Sequence, residues 1–156
     1  MRFEDRHYVP EQPRWPDFRF DRYREGWCAG RAGIGLTRLR MFETDRRPVL
    51  RRDLDRALGG LDHDSLARED QVCCGNFSRV EFLLRASRVL DVDAYWRQAE
   101  ELATDAVHRA EQRGEFSVPW QTDNWYAKSL FLGEPGIGYS LLRLAGADLP
   151  CLLLWE

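Results

Sequence analysis

No run in this 156-residue chain approaches the roughly 18 apolar residues that a membrane-crossing helix requires, so a membrane span is not expected. The opening stretch MRFEDRHYVPEQPRWPDF breaks every apolar segment with charge or proline. It lacks the apolar core of a secretory signal, and a cytoplasmic location is the expectation. A basic stripe is missing too: 23 Lys and Arg are mixed with 26 Asp and Glu for a formal charge of -3, which argues against nucleic acid as a partner. Strand alternation of convincing length is also lacking, which leaves helices to build the core. Cysteine and histidine are scarce, at four and three residues. In a cytosolic chain such cysteines serve more often as metal ligands or catalytic groups than as disulfides. The adjacent Cys73 and Cys74 could pair with each other only through a strained ring.

What the chain does have is an apolar content of 44%, enough to fill the core of one domain, and an internal glycine repeat. Gly30-x-x-Gly33-Ile34-Gly35 returns 103 residues later as Gly133-x-x-Gly136-Ile137-Gly138, and a degenerate copy starts at Gly75. Each first glycine is followed at the same distance by a Leu-Arg pair: Leu39-Arg40, Leu84-Arg85 and Leu142-Arg143. Spacings of 45 and 58 residues suit a unit of two helices.

Periodicity then predicts the helices. Segments from about 34 to 43, 76 to 90 and 136 to 145 follow the glycine turns and are apolar around much of their circumference, as buried helices are. Two amphipathic helices lie between them. Pro48 suits the first turn of one whose Leu50, Leu54, Ala57 and Leu58 share a face, with Gly59-Gly60 as its stop. Tyr95, Ala99, Leu102 and Ala106 mark the inner stripe of the other, with Asp91 or Asp93 as N-cap and Gly114 as its end. Buried helix, outer helix and glycine turn in this order imply an all-α array of two layers. Residues 1–23 read as an irregular segment, and the tail CLLLWE as either extended or helical.

Gly-x-x-Gly-x-Gly invites a dinucleotide reading, but that fingerprint needs a buried strand before it, and WCAGRAGIG follows the charged FDRYREG. Tight turns that let inner helices approach are the ordinary explanation. The cysteines are more informative. Cys28, Cys73 and Cys74 fall at equivalent entrances of successive inner helices, and three ligands with a vacant fourth position is the pattern of catalytic zinc. The helix dipole there would favour thiolate at Cys73 and Cys74. The competing explanation is that buried, unligated cysteines are common. Cys151, in PCLLLWE, reads as a packed thiol. His7, His63 and His108 read as solvent-facing, in the N-terminal segment, a loop and an outer helix.

Taken together, Trp27-Cys28-x-Gly30, Cys73-Cys74-Gly75-Asn76 and Phe131-Leu132-Gly133-x-x-Gly136-Ile137-Gly138-Tyr139 resemble, in order, the signatures of LanC-like lanthionine cyclases. The Cys-Cys-Gly form and the ending LPCLLLWE are most similar to the C-terminal cyclase domain of class II lanthipeptide synthetases, the LanM enzymes. The resemblance covers residues 24–156. It implies an α/α toroid, here incomplete because three helix pairs cannot close it, and a Zn2+ held by Cys28, Cys73 and Cys74. Cys74 stands where other members have histidine. The implied activity is zinc-assisted addition of a peptide cysteine to dehydroalanine or dehydrobutyrine, forming the thioether rings of lantibiotics. The implied partners are a precursor peptide with dehydrated Ser or Thr, and an upstream cyclase or dehydratase segment or self-association. Arg24 is a candidate active-site arginine, set against a solvated loop charge. No histidine here matches the family's proton donor, and Ala29 cannot act as one. The alternative to a cyclase is a truncated, non-catalytic zinc-binding helical remnant or interaction module.

Overall fold

In the computed structural model, which describes residues 2–11, 14–18, 22–59, 61, 67–119 and 128–156, helix α1 (Arg2–His7) precedes an antiparallel pair of two-residue strands. These are β1 (Pro16–Asp17) and β2 (Arg22–Tyr23), with Pro16 opposite Tyr23 and Asp17 opposite Arg22. Five helices follow: α2 (Arg31–Phe42), α3 (Pro48–Gly59), α4 (Asn76–Leu90), α5 (Asp93–Arg113) and α6 (Glu134–Leu144). A 3-10 turn, Leu152–Leu154, closes the order.

Gly30, Gly75 and Gly133 are the N-caps of α2, α4 and α6, so the repeat sets where each inner helix begins. The three lie side by side with α4 in the middle, while α3 packs outside α2 and α5 outside α4. Leu36 and Leu39 of α2, Leu50 and Leu54 of α3, and Phe82, Leu83 and Leu84 of α4 are fully buried between these layers. Glycine at position 35 is a packing requirement: a Cβ there would run into the Phe82 ring of the neighbouring inner helix. The molecule is thus all-α in its core, an incomplete α/α toroid of inner and outer helices.

Several expectations are corrected. The N-terminal segment is not wholly irregular, because α1 docks through Asp5 and Glu4 on arginines of the α2–α3 pair, including Arg38 to Glu4 at 3.5 Å. A strand does precede Trp27, although it is two residues long and pairs antiparallel with β1 rather than opening a βαβ unit. Helix α2 starts at Arg31, three residues before the predicted onset, because a bridge between Glu25 and Gly30 delivers the chain directly into its first turn. Neither Asp91 nor Asp93 is the N-cap of α5. Val92 is, without a side-chain cap, and Asp91 adopts a left-handed conformation (φ 57°) to end α4. With only two residues between those helices, Asp91 is needed for the reversal.

The Leu-Arg register also breaks in its third copy. Leu39 and Leu84 are buried, whereas Leu142 is 57% exposed and Arg143 only 1%. Helix α6 touches α4 and α5 but has no outer helix of its own among the described residues. Its outward leucine therefore faces water, while Arg143 turns inward to pair with the fully buried Glu81 of α4.

Candidate metal centre

The three loops that enter α2, α4 and α6 converge on one residue. The Cys73 carbonyl accepts the backbone N–H groups of Trp27 at 2.8 Å and Cys28 at 3.3 Å, and the Cys73 N–H donates to the Phe131 carbonyl at 3.0 Å. All three inner helices consequently start at the same end of the molecule. Close approach of the first two loops demands glycine at position 26, where a Cβ would sit 2.5 Å from the Cα of Cys74.

The loop carrying Cys73 and Cys74 is fixed from behind by polar contacts. Gly75 N–H donates to the Gln71 carbonyl at 2.9 Å, and Asn76 Nδ2 donates to Asp70 at 2.7 Å. The other Asp70 oxygen accepts the Ser117 N–H at 2.9 Å, and Arg109 of α5 pairs with the same carboxylate. Asp70 is buried, so these bonds replace the water it gave up.

On this scaffold the predicted thiols meet. Cys28 Sγ lies 2.8 Å from Cys74 Sγ, Cys74 Sγ lies 3.2 Å from Cys73 Sγ, and all three fall within 4.8 Å of one another. None is in a disulfide; Cys28 is exposed and the other two are half-buried. Zinc–sulfur bonds of about 2.3 Å place sulfurs roughly 3.8 Å apart around a tetrahedron, so the cluster fits a zinc ion after spreading by less than about 1 Å. Exposure of Cys28 keeps that cluster open to solvent.

The expected lowering of the thiol pKa values by the helix dipole is not what crowding produces. Hydrogen bonding to Cys28, together with burial, pushes the Cys73 thiol far above its ordinary range and the Cys74 thiol up to about 11. Three sulfurs this close cannot all be anionic without a cation among them. Arg24 opposes the rise at Cys74 through its positive charge, and is itself held by Asp17 at 3.2 Å.

Cys151 lies apart from this group. It is fully buried, its thiol facing Glu81 at 3.6 Å, and burial raises its pKa. His108 is exposed on α5, as expected, and His63 lies outside the described residues. His7 differs from expectation: half-buried, it donates from Nδ1 to the Phe3 carbonyl at 2.8 Å and lines a cavity of about 580 Å³ that Cys28 also lines.

Sequence reasoning missed an aromatic group that joins two of these loops to the C-terminal tail. Trp27 stacks on Phe131 at 5.7 Å, and Trp155 approaches both rings, at 6.5 Å and 5.4 Å. The available signal was an aromatic residue within two positions of Cys28 and of Gly133. Trp155 keeps 73% of its surface exposed in a left-handed conformation (φ 57°), and the next residue, Glu156, is anchored to Arg85 at 2.8 Å.

Fold and site together define a helical repeat protein that gathers three thiols at the entrances of its inner layer. No curated protein matches the chain. A family model, the lanthionine synthetase C-like protein, matches residues 1–154, and the chain belongs to that family. The match extends through α1 and the hairpin, well upstream of the motifs that first suggested it.

Proposed function

We propose that residues 24–156 form the C-terminal part of a lanthionine cyclase domain of the LanM type, acting on a precursor peptide whose Ser or Thr residues have been dehydrated. The observation that carries this reading is the convergence of Cys28, Cys73 and Cys74 into a cluster of metal-binding dimensions with one exposed member. Zinc held there would supply the positive charge that turns a peptide thiol into a thiolate at neutral pH.

The chain's own residues supply position. The backbone bonds at Cys73 hold the loops in register, and the positive charge of Arg24 favours the thiolate at Cys74. In the reaction the peptide sulfur donates a lone pair to the β-carbon of dehydroalanine or dehydrobutyrine. The double-bond electrons move toward the carbonyl, and the α-carbon takes up a proton equivalent to the one lost from the thiol. We assign no proton donor among the described residues. The exposed α6 face at Leu142 supports a partner, or a further segment, that packs more helix pairs against this one and brings that donor.

Alkylation and mass spectrometry test the reading, because cyclisation leaves peptide mass unchanged but removes a thiol. The zinc-loaded chain, supplied with a polypeptide providing the upstream cyclase helices, is expected to protect a dehydrated cysteine peptide from N-ethylmaleimide, and Cys73→Ala is expected to abolish the protection. Zinc retention with every thiol still alkylated would leave the non-catalytic, zinc-stabilised module instead.

A further inference from the structure

The cavity beside Cys28 has a wall of aromatic side chains that the described residues leave exposed. Phe3 and Phe18 are each 62% exposed, with the His7 ring between them at 4.3 Å and 4.9 Å. Trp15, Trp27 and Ile34 complete an apolar lining around about 580 Å³, within the range of roughly 300–1,000 Å³ in which small-ligand pockets fall. The lining also includes the charged residues Glu4 and Arg38. Glu4 is paired with Arg38 at 3.5 Å, Arg38 with Asp53 at 3.1 Å, and Trp15 Nε1 donates to the Glu4 carbonyl at 3.0 Å. With these charges paired to protein partners, the aromatic wall is suited to an uncharged, apolar group.

We propose that this cavity, built by the N-terminal segment against α2, binds a bulky apolar side chain adjacent to the reacting cysteine of the peptide substrate. The inference rests on the cyclase reading and names the specificity that goes with it. Its occupant follows from continuity: Cys28 belongs both to the thiol cluster and to the cavity lining. A peptide whose sulfur joins the cluster carries its next residue, about 3.5 Å along an extended chain, to the cavity mouth. Burying a leucine-sized side chain there is worth at least about tenfold in affinity.

The test uses the full chain loaded with cobalt(II), whose thiolate charge-transfer absorption reports each thiol that joins the metal. Two probes are titrated, acetyl-Gly-Leu-Cys-Leu-Gly-amide and the same peptide with glycine at both leucines. The leucine peptide is expected to bind at least about tenfold tighter. Phe18→Ala and Phe3→Ala are each expected to reduce that preference about threefold or more while leaving the absorption of the cobalt-loaded chain and the glycine-peptide affinity unchanged. Leu142→Ala, at an exposed apolar position that does not line the cavity, should keep the full preference. Equal affinities for the two peptides, or a preference that survives both phenylalanine changes, would overturn the pocket and leave the cyclase reading standing. A charge-transfer band that no peptide alters would overturn both.

Discussion

Cys73 works through its backbone as well as its sulfur, since its carbonyl and N–H bind both neighbouring loops while its thiol completes the cluster. Replacement by alanine keeps those main-chain bonds and removes only a ligand. Cys73→Ala is therefore expected to lower bound zinc from about one per chain to a small fraction, read by metal analysis after gel filtration, while helix content stays the same. Cys74→His tests the all-thiolate set: with less negative charge on the metal, the bound peptide sulfur should be a weaker nucleophile, and a single-turnover rate equal to or above that of the parent would refute the idea. Cys151 differs in kind. Burial raises its pKa above the ordinary thiol value of 9.0, so the proton it keeps contributes stability that is complete below pH 9.0 and is lost as pH rises through the folded-state value. Zinc-loaded protein should thus lose stability in urea as pH rises above 9.0, and Cys151→Val should flatten that slope without changing zinc content.

At the scale of elements, the inner helices are joined by polar as well as apolar contact. The Glu81–Arg143 pair is buried at 0% and 1% exposure and links α4 to α6. Glu81→Leu leaves the arginine buried without its anion and is expected to cost about 3–5 kcal/mol in denaturant unfolding, most of which the double change with Arg143→Leu should restore. These elements were unevenly legible in the sequence. Pro48, the leucine stripe and Gly59 defined α3, and Gly75 fixed the start of α4, because each signal is local. The inward turn of Arg143 was invisible, since Leu142 carries the same spacing as Leu39 and Leu84 and differs in having no helix above it among the described residues. Asp91 misled for a related reason: an aspartate serves equally at a helix start or in a left-handed reversal, and only the shortness of the connection decides. The three thiols were legible from the glycine register. The cavity was not, because Phe3, His7 and Phe18 reach it through tertiary docking of α1 and the hairpin.

For the whole molecule, the thiol cluster ties together elements that otherwise meet along helix faces. A ligand that binds only the folded form at a thousand times its dissociation constant adds about 4 kcal/mol of stability. Chelation of zinc should therefore lower the thermal midpoint by roughly 10 °C, a shift that calorimetry would read and that Cys73→Ala would abolish. The same convergence sets an order of events. Cys28 and Cys74 are 46 residues apart, and Cys73 bonds to Phe131 across a further long stretch, so closing these loops carries an entropic cost that local helix formation does not meet. During refolding, metal uptake should trail the appearance of helical signal, and a zinc-sensitive dye would time the moment at which the loops entering α2, α4 and α6 dock.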